Sequence, residues 1–487
     1  MCHYARAIPE KHPNIGEKNE IARRAVKEYA GCMSDTSKMA TPNPTFGGQA
    51  RALWTLGMPL VASQLAQVAI QTTDVLMLGW YDVVALAAVS LASPIYFTIF
   101  LVGAGFAIGV MPLVARAAGT EDDRQVRRVT RMGLWLSIAF GIAVIPLFLF
   151  FEAFFLAIGQ APDVSELGGL YMAYAGFGIL PALIVMVMRS YLSALELTRI
   201  VLLATLATLV LNIAINYALI FGNWGAPELG VVGAAIASVI GHILSVVILV
   251  VYALVKTPQH TLFQNFQRPD WEAMSRVFHL GWPIGITLLS EVGLFAIASV
   301  MMGWVGTIAL AAHGIALQIA SITFMIHLGL SQAITVRAGR AWGRSDVVML
   351  RLACQAALVL SAIAVCVTMF VFLVFPEPLI GAFIDPNDPD RLEILAAGAV
   401  LLALAALFQA VDAGQVMALG MLRGVQDTKV PMIMAAFSYW VVGVPTSYLL
   451  GFTFGLDGVG IWLGLSVGLA VAGILLQARF WSRHARV

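Results

Sequence analysis

The sequence predicts an all-α polytopic membrane protein, with twelve transmembrane helices in two six-helix lobes related by a pseudo-twofold axis along the membrane normal. Three observations carry that prediction. Of the 487 residues, 60% are hydrophobic and only 11% charged, at a mean hydropathy of +0.88, which is more apolar surface than one soluble core can bury. Apolar runs of about 20 residues, the length that crosses a hydrocarbon core roughly 30 Å thick, recur along the chain. The chain also matches itself at an offset of 224 residues.

In the first half the apolar runs lie near 53–79, 84–115, 132–155, 167–188, 200–221 and 230–255. In the second they lie near 277–303, 307–336, 352–375, 392–421, 430–452 and 457–478. The second run of each half is long enough to tilt or protrude. If loops alternate between two faces, 27 of the 28 Lys and Arg share a face with both termini and only Arg391 lies on the other. The positive-inside rule makes the basic face cytoplasmic, and because a miscounted span would scramble the partition, the asymmetry also supports the number twelve.

The domain reading follows. Residues 1–50 form a polar, disordered cytoplasmic tail with no apolar h-region of a signal peptide, although "NEIARRAVKEYA" has the composition of a short surface helix. The N-lobe spans 51–255, the inter-lobe linker 256–276, the C-lobe 277–478 and a second cytoplasmic tail 479–487. No segment between spans is long enough for a soluble catalytic domain. A net charge of +1 gives no bulk field for nucleic acid. The four cysteines, Cys2, Cys32, Cys354 and Cys366, lie in the tail or the ninth span with no CxxC, so neither a disulfide nor a metal framework is indicated.

The internal repeat aligns "LGMP" at 56 with "LGWP" at 280, "MLGW" at 77 with "MMGW" at 301, and "ALAA" at 85 with "ALAA" at 309. Arg116 and Gly119 fall on Arg340 and Gly343, and "GVVGAAI" at 230 matches "GLDGVGI" at 455 after a slip of one residue. Six spans per copy is an even number, so both copies enter the membrane in the same direction. Substrate sites in such proteins lie where the repeats face one another.

Polar side chains inside the spans carry the functional information, since backbone groups are locked in helical bonds. Gln64, Gln67, Gln71 and Asp74 recur at spacings of 3, 4 and 3 and share one face of span one. Span five carries Asn212 and Asn216 at i, i+4, and span seven carries Ser290 and Glu291. In span ten Phe408, Asp412 and Gln415 share a face with Gln409 beside them. Intramembrane amides often only bond neighbouring helices, worth about 0.6 kcal/mol apiece. A carboxylate at mid-bilayer costs roughly 2.5–3.5 kcal/mol, and Asp74, Glu291 and Asp412 have no Lys or Arg nearby in sequence, which marks them as functional. Such a group can take a proton, Na⁺ or an organic cation, and the mutual exclusion of these ligands is the chemical core of an antiporter. His313 and His327 lie in span eight, with Ser331 at i+4 as the expected neighbour of His327; packing is the default role for both. A subset of the 20 Met and 26 Phe suits a broad site for apolar cations.

Through these residues the chain resembles the multidrug and toxic compound extrusion (MATE) transporters, within them the NorM-like branch. The resemblance runs from residue 51 to about 480. It is carried by "LGMPLVASQLAQVAIQTTDVLMLG" at 56, "MRSYLSALELTR" at 188, "LNIAINY" at 211, "LLSEVGLFAIASVMMGWVG" at 288, "LAAHGIALQIASITFMIHLGLS" at 310 and "FQAVDAGQVMALGMLRGVQDTKVP" at 408. It implies two lobes forming a V-shaped cleft, and export of organic cations and amphipathic drugs in exchange for H⁺ or Na⁺. It also implies a functional monomer in a bacterial inner membrane, and no cofactor beyond the coupling ion. By motif, Asp74 with Asn212 and Asn216 forms an N-lobe proton or cation site, and Glu291 with Asp412 a C-lobe site. Sodium-coupled relatives often have a Tyr four residues before the span-ten Asp. Here it is Phe408, which lacks a hydroxyl and favours H⁺. Val201 stands where relatives tend to have Pro, with no evident functional meaning.

Three other functions compete. A flippase for a lipid-linked precursor would want a strongly basic cleft, and the spans read as almost free of interior Lys and Arg. A membrane-embedded enzyme is disfavoured, because there is no HExxH and no Ser/His/Asp set within a span. An ion channel would need no two-lobe repeat.

Overall fold

The structure, a computed structural model, describes residues 45–386 and 388–486. Residues 1–44, with Cys2, Cys32 and the "NEIARRAVKEYA" segment, lie outside the described residues.

Among the described residues, twelve helices are long and apolar enough to cross a membrane: α1 Phe46–Tyr81, α2 Val83–Gly119, α3 Asp123–Phe148, α4 Pro162–Ala194, α5 Thr198–Phe221, α6 Val231–Lys256, α7 Trp271–Val305, α8 Thr307–Gly343, α9 Val347–Val374, α10 Arg391–Gly424, α11 Lys429–Thr453 and α12 Asp457–Arg483. Each overlaps one predicted apolar run, but the third run, 132–155, overshoots α3, which ends at Phe148, and takes in part of a separate short helix, Phe151–Ala157. Most helices continue past the runs into polar sequence, as α3 does from Asp123 and α1 from Phe46. As expected, α2 and α8 are both long, at 37 residues, or about 55 Å at 1.5 Å per residue. Among the described residues π-helical turns interrupt α11, at Ser438–Gly443 and Leu449–Thr453.

The repeat is visible in the backbone. Glu121 (φ 57) and Ser345 (φ 54), 224 residues apart, both adopt the left-handed conformation where α2 and α8 end. Asp122 and Asp346 then cap α3 and α9, accepting from Gln125 N and Met349 N. Gly230 (φ 53) and Gly455 (φ 68) make the equivalent turns before α6 and α12.

The halves meet along a seam built from α1, α2, α7 and α8. Gly105 of α2 presses on α7 so closely that a Cβ there would lie 2.6 Å from Gly281 O and 2.6 Å from Gly285 N. The repeat-related pair is α8 on α1, where a Cβ on Gly329 would lie 2.7 Å from the Val61 backbone. At the helix ends Gly119 packs on the Arg340 carbonyl and Gly343 on the Arg116 carbonyl, so symmetry-related residues exchange the same contact.

Every hydrogen bond between the halves, among the described residues, sits at the basic ends of these helices. Glu196 accepts from Arg337 at 3.1 Å and pairs with Arg340 at 3.1 Å. Arg337 donates to Gln49 (2.7 Å), Arg340 to Ala194 O (3.1 Å), Arg344 to Gly119 O (3.2 Å) and Arg116 to Gln426 (3.1 Å). Among the described residues the seam is therefore fastened on one face.

The linker is also tied down. Arg131 and Trp135 of α3 donate to the carbonyls of Asn265 (2.9 Å) and Phe266 (2.9 Å). Arg128 grips Asp270, the N-cap of α7, with a two-pronged contact at 2.5 and 3.0 Å, and holds that carboxyl down at about 2.

Candidate functional site

Polar side chains gather inside both halves. On α5, Asn212 and Asn216 are fully buried and one turn apart, so both face α1. Asn216 Nδ2 donates to Asp74 Oδ1 at 2.5 Å and to Asn212 Oδ1 at 3.2 Å, while Ser238 Oγ of α6 donates to Asp74 Oδ2 at 3.1 Å. Tyr171 of α4 is close enough to feel the charge on Asp74. The carboxylate is held by neutral donors from α5 and α6 and has no cationic partner among the described residues. The predicted group Asp74, Asn212 and Asn216 comes together; Ser238 was missed, because a single serine in an apolar run reads as one bonding its own helix.

The predicted stripe on α1 divides. Gln64 and Gln67 do not turn to Asp74. Their Oε1 atoms accept from Arg189 of α4 at 2.8 and 3.5 Å, with Ser63 Oγ at 3.2 Å. Gln71 is exposed.

In the second half, Asp412 of α10 is 3% exposed and its Oδ1 is buried with no hydrogen-bond partner. It lies within electrostatic reach of Glu291 of α7, and Glu291 in turn of Arg423. Gln415 Nε2 donates to the Tyr439 hydroxyl at 2.6 Å, which leaves Gln415 Oε1 buried and unpartnered. Ser290 is buried beside Glu291. Gln409 proves to be a tie between α10 and α8, donating to Ala320 O at 2.8 Å and to Thr323 Oγ1, with its own Oε1 also unpartnered. Phe408 is packed against Phe295 and Trp462, ring centroids 5.9 and 5.6 Å away, and presents no oxygen. Gln409 is thus turned to α8 and Gln415 to α11, while Asp412 keeps a buried oxygen with no donor, the chemistry that takes up a proton or a cation.

Two expectations need correction. The spans are not almost free of interior cations: Arg189 lies inside α4 and Arg423, 8% exposed, inside α10. Both sit just past the end of an apolar run, where hydropathy reads a loop. The neighbour of His327 is not Ser331, whose hydroxyl donates to Val416 O at 2.8 Å. It is Ser361 of α9, at 3.0 Å from Nδ1. His313 accepts from Trp462 Nε1 at 3.1 Å through Nδ1, so Nε2 carries the proton toward Ser299, also at 3.1 Å. Such a neutral, doubly bonded ring belongs to the packing.

Comparison with known proteins gives a consistent answer. The MatE family model matches twice, at residues 59–218 and 283–449, two copies 224 residues apart at their starts. A probable multidrug resistance protein NorM of Rhizobium meliloti is 46% identical over 439 residues, 90% of this chain and 94% of that one. Its counterpart in Agrobacterium fabrum is 42% identical over 435 residues, 88% and 93% of the two chains. Among solved structures, an outward-facing multidrug resistance MATE family transporter of the MOP superfamily superposes with a TM-score of 0.81 at 20% identity, over 89% of this chain and 96% of that chain. With its doubled match and these full-length relatives, the chain belongs to the MATE family.

Proposed function

We propose that this protein is a secondary active antiporter that exports organic cations and amphipathic drugs in exchange for H⁺ or Na⁺. The observation that carries the reading is the buried, unpartnered oxygen of Asp412, within electrostatic reach of a second carboxylate, Glu291. A buried carboxylate left without a donor is completed by a cation or a proton. Phe408 walls it with an apolar ring in place of a hydroxyl, which favours H⁺. Asp74, held on both oxygens, is the corresponding site of the first half. The full-length likeness to proteins named for multidrug resistance supplies the cargo class.

The basic face, with both termini, is cytoplasmic in this reading and the membrane is the bacterial inner membrane. The seam is fastened on that face, so the conformation is outward-open. Uptake of the coupling ion at Asp74, Glu291 and Asp412 releases the cargo outward and lets the lobes rock. The protein works as a monomer and relocates its cargo unmodified.

The test is efflux of a fluorescent organic cation from proteoliposomes, driven by a pH gradient alone or by a Na⁺ gradient alone, in wild type, Asp74→Asn and Asp412→Asn. Drive by one gradient, lost in both variants, is expected. Full export by the variants sinks the reading. Arg189 and Arg423 give the flippase reading more support than the sequence did, but one is engaged by neutral amides and the other faces Glu291. Scrambling of a fluorescent lipid without any ion gradient would move that reading to the front.

A further inference from the structure

The Arg189 guanidinium is a second intramembrane charge, and export does not account for it. Among the described residues it has no carboxylate within ion-pair distance; its acceptors are the neutral Ser63, Gln64 and Gln67. A lone cation inside a membrane protein needs a countercharge. Beside Arg189 lies a cavity of about 30 Å³ whose wall also includes Gln67, Thr208, Asn212, Ser238 and His242. It is two to three times the minimum that one water occupies, room for a small ion.

The polarity of that wall is set by Asp74. The carboxylate requires an N–H from Asn216, so Asn216 also turns its Nδ2 to Asn212 and Asn212 must answer with Oδ1. The Nδ2 of Asn212, fully buried, is left with no acceptor. Nδ1 of His242 is likewise buried without a partner. Thr208 Oγ1 spends its proton on the Ala204 carbonyl or Ser245. The cavity therefore presents a guanidinium and an orphaned amide N–H, and no carboxylate lines it. The titratable groups around it are Arg189 of α4, His242 of α6 and, behind Asn212 and Ser238, Asp74 of α1.

We propose that this cavity binds a monatomic anion of chloride size between Arg189 and Asn212, and that neutralising Asp74 tightens its binding. While Asp74 is ionised its negative charge, behind Asn212 and Ser238, repels an anion in the cavity. Once a proton or cation occupies Asp74, that repulsion is gone and the anion binds beside Arg189 more tightly. The first half then carries its coupling ion as a neutral pair. Water alone would hydrate the cavity but leave the charge uncompensated.

The experiment measures binding without transport, so its failure leaves the export reading standing. The full chain in nanodiscs is melted while chloride is titrated against gluconate, too large for the cavity, at constant ionic strength. Chloride should raise the melting temperature saturably in wild type. The half-saturating concentration should fall about fivefold or more in Asp74→Asn, the range of ordinary site-to-site coupling, and the effect should vanish in Arg189→Gln. If Arg189→Gln does not fold, wild-type crystals soaked in bromide decide: an anomalous peak between Arg189 and Asn212 is expected. No chloride-specific shift in wild type and Asp74→Asn, an equal half-saturation in the two, or an electron-density feature in the cavity with no bromide signal overturns the proposal.

Discussion

Adding one methyl group to the seam should open it. In Gly105→Ala the new Cβ lies 2.6 Å from Gly281 O and 2.6 Å from Gly285 N, where ordinary contact begins at 3.4 Å. Both are backbone atoms of α7, so no side chain can swing aside and the helices must separate. Overpacking of this kind costs about 1–3 kcal/mol. If the alternate conformation parts α2 from α7, the whole of that cost falls on the seam-closed state, and the equilibrium moves toward the alternate one by about 5- to 150-fold. The assay is alkylation of Ala333→Cys, fully buried in the seam against Gly57, by a polar maleimide in an otherwise cysteine-free background. The labelling rate follows the open fraction and should rise by that factor. Gly314→Ala on α8, whose Cβ would meet nothing within 4 Å, is the control and should label like the parent. An unchanged rate in Gly105→Ala at an unchanged melting temperature would refute the view that this crossing holds the closed state.

Other substitutions separate the sites. Asp412→Asn should abolish gradient-driven export yet raise the melting temperature, because it removes a buried, incompletely bonded carboxylate whose unsatisfied oxygen costs about 1–3 kcal/mol; loss of both stability and export would argue for a structural role. Tyr439→Phe removes the acceptor of Gln415 and should cost about 1–3 kcal/mol of stability, read by thermal melting. The Arg128 contact holds the Asp270 carboxyl at about 2 against 3.8. A carboxyl so depressed adds stability that is complete above its unfolded value near 4 and lost as pH falls through about 2. Screening at this partly open surface limits the gain to about 1 kcal/mol, and Arg128→Ala should erase that acid dependence in melts between those limits.

The fold was legible because one signal, the apolar run, decides both the number and the order of membrane helices, and because the repeat is written in identical short strings. The sites were legible where the chemistry is expensive: a carboxylate in an apolar run is conspicuous, and the i, i+4 spacing of Asn212 and Asn216 places them on one face without tertiary knowledge. What hydropathy could not supply was the end of a helix that remains buried. The fourth run stops at 188, but α4 continues to Ala194 because α1 provides Ser63, Gln64 and Gln67 for Arg189 to bond. That fact belongs to another helix. The partner of His327 failed for the same reason, since Ser361 is 34 residues away and Ser331 only four.

The two halves share a scaffold but not an electrostatic state, and this bears on how they divide the work. In the first, both oxygens of Asp74 accept from neutral donors, so ionised Asp74 is already accommodated. In the second, Asp412 is more deeply buried, has an orphaned oxygen and faces a second carboxylate, so two negative charges there repel one another at close quarters. A proton or cation relieves the second site far more than the first. On the reading proposed above, the coupling ion should therefore settle first at Glu291 and Asp412, with Asp74 the later and weaker step. Asp74→Asn should then block export while leaving ion binding measurable, whereas Asp412→Asn should remove both. Equal loss of ion binding in the two variants, measured by proton release or isothermal titration with Na⁺, would show instead that the halves act as one site.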